Sequence, residues 1–285
     1  MKNILVLIPA FNAEKTISSL VDQISAFIPG KDILVIDDGS TDKTYQLAKE
    51  RGANCLQHKK NKGKGEALKT GFEYAVEQGY SGVVTLDADL QHDPKFIPEF
   101  IKKAESDIDT GRVQNGSRWT RCPTYEKRGA YIHVGGAPSP AKRGVGLPQS
   151  RGTSPTKHVP VGVRQRRTSP ANILIGTRNI RLKTMPFSRW LTNNVTSIIV
   201  SILGDTKVRD SQSGYRYIST KVLKAVKLST RKYELESEIL IKAGRKGFKI
   251  APLPISTIYH GSKSFINPLV DTGRFIKLMW KSIFW

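Results

Sequence analysis

The sequence predicts an α/β fold, a mostly parallel sheet flanked by helices, on three observations. Apolar runs of strand length alternate with segments of helical periodicity through residues 1–105. The runs are dense in Ile, Leu and Val, as strands covered on both faces are. Single helical segments separate them, which calls for right-handed βαβ crossovers rather than hairpins.

The elements follow in order. "NILVLIPA" (3–10) reads as a buried strand, and "AEKTISSLVDQISAF" (13–27) as a helix with Ile17, Leu20, Val21, Ile24 and Phe27 on one face. "DILVIDDGSTD" (32–42) is a strand running into an acidic Gly-Ser turn. "KTYQLAKERG" is helical with a glycine stop, and "NCLQHKK" (54–60) is a third strand. Glycines bracket the helix "GKGEALKTGFEYAVEQG" (63–79). "GVVTLDADLQHDP" (82–94) is the fourth strand, ahead of the helix "PKFIPEFIKKAES". In parallel sheets ligands bind beyond the carboxyl ends of the strands. Asp37–Asp38 and Asp87–Asp89 both fall there.

The texture changes over 109–170, where Gly, Pro, Ser and Arg crowd out apolar periodicity. Twelve Lys/Arg face one acid over 110–170, about half of the net charge of +22. Such a stretch buries too little apolar surface to offset its ordering entropy. Its flanks, "KKAESDI" and "ANILIGTRN", join into the same helix–turn–strand rhythm. The stretch is therefore expected to be an insertion, either a disordered basic arm or foreign sequence without a role. The domain is expected to comprise 1–108 and 171–260. After "ANILIGTRN" come a helix (187–204), a polar loop (205–220), a helix around 233–247 and a strand (248–260). Residues 261–285 form an amphipathic C-terminal segment that interleaves Trp and Phe with Lys and Arg. It is expected either to lie in a bilayer interface or to dock on the sheet.

Composition excludes several classes. The two cysteines, Cys55 and Cys122, have no framework or zinc spacing. The N-terminus is too short in apolar residues for a signal peptide, and no apolar run approaches the ~20 residues of a membrane span. The basic stretch lacks aromatic interleaving, which argues against nucleic acid as a partner.

The acidic cluster "LDADLQHDP" has a chemical reading and a bland one. Asp87 and Asp89, with the Gln91 amide oxygen, offer hard oxygen ligands suited to a divalent cation. A solvated acidic turn would use the same residues. Asp93 reads as an N-cap before Pro94, and His92 as a surface residue. "NKGKGEAL" places glycines and Lys64 at a helix N-terminus, where a phosphate would be welcome. "GTRN" and "DSQSGYR" supply Arg178, Asp210, Gln212 and Arg216, and an arginine fork can grip a phosphate.

Taken in order, "IPAFNAEKTI", "VIDDGSTDKT", "NKGKGEAL", "LDADLQHDP", "GTR" and "DSQSGYR" resemble family 2 glycosyltransferases of the A-type, nucleotide-sugar-binding fold. The similarity covers about 1–108 and 171–275, and is greatest to the branch that makes polyprenyl-phosphate mannose or glucose. The resemblance implies an inverting transfer of a hexose from a nucleotide diphosphate sugar to a polyprenyl phosphate, with Mg²⁺ or Mn²⁺ as cofactor. It implies a metal set of Asp87, Asp89 and Gln91, and a donor pocket of Pro9, Ala10, Phe11, Glu14, Asp38, Lys64 and Asp87. It implies acceptor contacts at Arg178 and Gln212, and catalytic roles for Asp89, Asp210 and Arg216. A peripheral position at the cytoplasmic membrane face goes with that acceptor. Phe11 and Ala13 stand where the family often has Tyr and an acid, which leaves the base open. Two alternatives stay open: a hydroxyl acceptor with Asp210 as general base, or an enzyme impaired by its insertion.

Overall fold

The computed structural model describes residues 3–105, 171–178, 187–256, 268–282 and 285, without the side chains of 187–191 and 268–272. These belong to one compact unit, 1–109 with 167–285. The basic stretch at 109–170 lies outside the described residues, as does 257–267 before the C-terminal helix.

Among the described residues seven strands make one sheet: β1 (Ile4–Ala10), β2 (Ile33–Asp37), β3 (Asn54–Gln57), β4 (Gly82–Thr85), β5 (Ile173–Arg178), β6 (Arg216–Ser219) and β7 (Ile250–Ile255). Their spatial order is β3-β2-β1-β4-β6-β5-β7. All pairings are parallel except those of β6, which runs antiparallel to both β4 and β5. The helices are α1 (Ile17–Ser25), α2 (Thr44–Glu50), α3 (Lys64–Glu77), α4 (Ile97–Glu105), α5 (Phe187–Leu203), α6 (Thr220–Ala225), α7 (Leu235–Arg245) and α8 (Pro268–Ser282).

Alternation along β1 sorts the core into two layers. Ile4, Val6 and Ile8 pack with Ile17, Leu20 and Ile24 of α1 and Phe100 of α4. Leu5 and Leu7 face the other way, onto Leu68 and Phe72 of α3 and Leu235 and Ile239 of α7. A period of two on the strand and 3.6 on the helices produces this directly.

The centre of the sheet corrects the sequence reading. The segment 205–220 is not all loop, because residues 216–219 form β6, whose Ile218, Tyr217 and Arg216 pair with Val83, Val84 and Thr85 of β4. Four residues beginning with Arg carry no strand signature, yet all four are buried. The antiparallel turn matters for function: it brings the start of β6 to the edge where β1, β2, β4 and β5 end. β4 also stops at Thr85, so Asp87 and Asp89 stand on a loop beyond the strand.

The loop before α7 is pinned by a buried anion. Glu238 accepts hydrogen bonds from the backbone and hydroxyls of Ser229 and Thr230, and pairs with Lys242 at 2.6 Å. Burial alone would raise its carboxyl, but Lys242, Thr230 and Ser229 hold it down to about 2, against an ordinary 4.5. A depressed folded value stabilises above the unfolded value, and that stability is lost as pH falls from about 4.5 toward 2. Glu238→Gln is expected to cost ~3 kcal/mol at neutral pH. Urea unfolding across pH should show the two proteins converging below pH ~3.

Candidate active site

The acidic and basic motifs converge on one edge of the sheet. Asp38 follows β2, Asp87 and Asp89 follow β4, Arg178 ends β5, and Asp210 precedes β6. Lys64 opens α3 and Glu236 lies in the first turn of α7.

Asp87 is the centre. Its Oδ1 lies 2.6 Å from Lys64 Nζ, and Lys64 Nζ lies 2.7 Å from Glu236 Oε1. Burial would raise the Asp87 carboxyl, yet Lys64 and His92 outweigh it and hold it below its ordinary value. Gly214 backs the carboxylate: a Cβ there would meet Asp87 Oδ2 at 2.5 Å. Thr85 Oγ1 donates to the Gly214 carbonyl at 2.7 Å and fixes that approach. Asp89 differs. Burial and the charge of Asp87 push its carboxyl upward, and its Oδ1 accepts from the Gln91 backbone N–H. Among the described residues Asp89 forms no ion pair.

Three carboxylates, Asp87, Asp89 and Glu236, face the Lys64 ammonium and Arg216, 3.6 Å from Glu236, which leaves the pocket one positive charge short. With the half-buried Gln91 beside them, the donor set fits a hard divalent cation. Among the described residues no three His, Cys, Asp or Glu side chains form a metal-binding group. The protein would supply part of a coordination shell, as is usual where substrate phosphates complete it.

On the other side of the cleft Arg178 donates to Asp210 through two nitrogens, at 2.8 and 2.9 Å. Asp210 is fully buried and holds this arginine by its fork. It is thus a poor candidate for a general base. Arg216 also departs from expectation. Its side chain is 2% exposed and donates to the carbonyls of Ser213, Ser211 and Glu236. It shapes the 211–215 loop from inside and presents no fork to an acceptor. Gln212 is exposed and reaches Thr196 of α5 at 3.4 Å.

The donor-side residues are placed differently from their sequence reading. Asp38 accepts from His58 Nδ1 at 2.7 Å and from the backbone N–H of Lys62 and Gly63. It therefore organises the loop before α3. Glu14 accepts from the Lys43 N–H at 3.4 Å while its own N–H donates to Asp42. Asn12 Oδ1 accepts from the Thr41 N–H, so the 11–14 and 38–44 loops are clasped together. Pro9 and Ala10 are buried at the end of β1, and Phe11 is exposed beside them.

The α3 N-terminus is not an open phosphate cradle. The Glu66 N–H donates to the Arg231 carbonyl, and a Cβ on Gly65 would meet the Arg231 backbone at 2.5 Å. These glycines admit a neighbouring chain segment. His92 is a second correction: it is buried, with its ring 5.3 Å from that of Tyr215 and Nε2 4.0 Å from Asp87. Asp93 does cap the following turn, accepting from the Lys95 N–H.

Sequence reasoning missed His58, Gly214 and the pairing of Lys64 with Glu236. Each depends on a partner distant along the chain and leaves no local signal.

The glycosyl transferase family 2 profile matches residues 5–130, which include the acidic motifs. The N-terminal part of the chain is thus similar to glycosyltransferase family 2. It is 28% identical over 90% of its length to UDP-N-acetylglucosamine–dolichyl-phosphate N-acetylglucosaminyltransferase of Methanococcus voltae, covering 86% of that protein. Dolichol-phosphate mannosyltransferase of Pyrococcus furiosus is 34% identical over 55% of this chain and 47% of its own. Glucosyl-3-phosphoglycerate synthase of Mycobacterium tuberculosis, solved with Mn²⁺, UDP and phosphoglyceric acid, shares the fold. Its TM-score is 0.61 at 19% identity, over 99% of this chain and 77% of that one. The chain thus has the fold of an A-type glycosyltransferase.

Proposed function

We propose that this glycosyltransferase moves a hexose from a nucleotide diphosphate sugar to a polyprenyl phosphate, with inversion and with Mg²⁺ or Mn²⁺ at Asp87, Asp89 and Gln91. The observation that carries the reading is the division of the cleft: an acidic side at Asp87 and Asp89, and a cationic side at Arg178. The Methanococcus relative, whose name specifies a dolichyl phosphate acceptor, matches along nearly the whole chain.

A bound divalent cation supplies Lewis-acid neutralisation of the departing diphosphate. The acceptor phosphate oxygen attacks the anomeric carbon from the opposite side. The bond to the diphosphate breaks and its electron pair leaves with the diphosphate. A phosphate monoester is already anionic at neutral pH, so no base is required. A hydroxyl acceptor would require one, and Asp210 is tied to Arg178 by both oxygens. That pairing favours the phosphate acceptor. Arg178, held rigid by Asp210, orients the incoming phosphate, and Asp38 and the clasped loops position the nucleoside.

A lipid acceptor also needs a membrane face. Ile198 and Ile202 of α5 are 59% and 74% exposed, and a groove of about 400 Å³ beside them includes Lys207 and Arg209. Trp280 of α8 is 66% exposed. Among the described residues no helix is long and apolar enough to cross a membrane. These exposed faces of α5 and α8 would meet the lipid surface.

Purified protein incubated with uridine and guanosine diphosphate sugars, a polyprenyl phosphate and Mn²⁺ is expected to yield a chelator-sensitive glycosyl phospholipid by mass spectrometry. Asp89→Asn should lower turnover by at least ~100-fold. Product on a hydroxyl acceptor alone would overturn the acceptor assignment. Ile198→Glu with Ile202→Glu should reduce co-sedimentation with anionic vesicles several-fold, and unchanged binding would remove the α5 face from the account.

A further inference from the structure

Lys64 has an unusual position for a residue beside a divalent-cation site. Its ammonium already occupies the central ligand. Nζ lies between Asp87 Oδ1 at 2.6 Å and Glu236 Oε1 at 2.7 Å, with the side chain only 18% exposed. The Tyr233 ring lies 5.8 Å from Nζ.

Each member of this triad is fixed from behind. Lys64 sits between Gly63 and Gly65, where the 231–232 segment presses on the start of α3. Asp87 rests on Gly214. Glu236 is steadied by Arg216, whose Nη1 donates to the Glu236 carbonyl and whose Nη2 lies 3.6 Å from its carboxylate. Lys64 itself is a compact charge on a flexible four-carbon stem.

A divalent cation shared by Asp87 and Asp89 cannot take Asp87 fully while an ammonium sits on the same carboxylate. The two positive charges repel at contact distance. A buried ammonium cannot simply be left without a partner either. Glu236 meets both demands, because it already holds the other side of Nζ.

We propose that Lys64 is the exchangeable counter-ion of the cation site, holding Asp87 until a divalent cation arrives and being retained by Glu236 afterwards. The inference rests on the metal assignment to Asp87 and Asp89. Before loading, the ammonium keeps the acidic pair from repelling itself. After loading, the N–H donors released from Asp87 stay in the cleft on Glu236, available to an anionic diphosphate. Cation binding thereby prepares the anion site, and the cation binds first.

The test is Mn²⁺ binding to the full chain without nucleotide, followed by electron paramagnetic resonance of the free ion. Lys64→Gln removes the competitor and is expected to tighten binding roughly tenfold. Glu236→Gln removes the resting place and should weaken it several-fold, with Lys64 then bound to Asp87 alone. Asp87→Asn should abolish site binding in every background. If Lys64→Gln binds no tighter, or Glu236→Gln no weaker, while wild-type binding still depends on Asp87, the counter-ion role is wrong and the metal site stands. If Asp87→Asn changes nothing in any background, the metal assignment itself fails and takes the inference with it. Circular dichroism checks that each variant is folded, and Glu236→Gln decides the matter if Lys64→Gln is not.

Discussion

The structure depends on keeping the half-buried Asp87 carboxylate ionised at the edge of the sheet. Burial pushes such a group toward its neutral acid. Here Lys64 and His92 reverse that tendency, and their arrangement dictates much of the surroundings. Gly214 is glycine because Asp87 occupies the space of a side chain. Glu236 balances the other side of Lys64. Arg216, buried among the carbonyls of 211, 213 and 236, holds the loop that carries Gly214 to the helix that carries Glu236.

The same economy separates two arginines that look alike in sequence. Arg178 and Arg216 both follow short Gly-containing motifs, and both suggest a phosphate grip. Arg216 is drawn inside because β6 begins with it in the middle of the sheet, so its fork must be satisfied by backbone carbonyls. Arg178 ends a parallel strand at the cleft, and Asp210 fixes its guanidinium there. Asp210 thus anchors a cation through both of its oxygens, and the proposed phosphate acceptor is the reading consistent with that pairing.

The parallel half of the fold was legible because burial writes itself into composition: β1 and β2 are unbroken apolar runs, and α1 repeats Ile17, Leu20, Val21 and Ile24 at helical spacing. β6 was not legible, since four residues starting with Arg cannot display a period. At the site, acids beyond strand ends were readable from topology alone. The donor-side roles were less so. Asp38, Glu14 and Asn12 sit in polar loops whose partners lie 20 to 29 residues away, and only the folded chain reveals that they join those loops. His92 reads as polar in sequence, but the aromatic faces of Tyr215 and Phe100 bury that corner.

If this edge is the cation site proposed, Lys64 holds Asp87 until the ion arrives. Anomalous diffraction from a crystal soaked in Mn²⁺ tests it most directly. The account predicts a manganese peak bonded to Asp87 and Asp89, with Lys64 Nζ withdrawn onto Glu236. A peak elsewhere, or manganese on Asp89 with Lys64 still seated on Asp87 Oδ1, would contradict it.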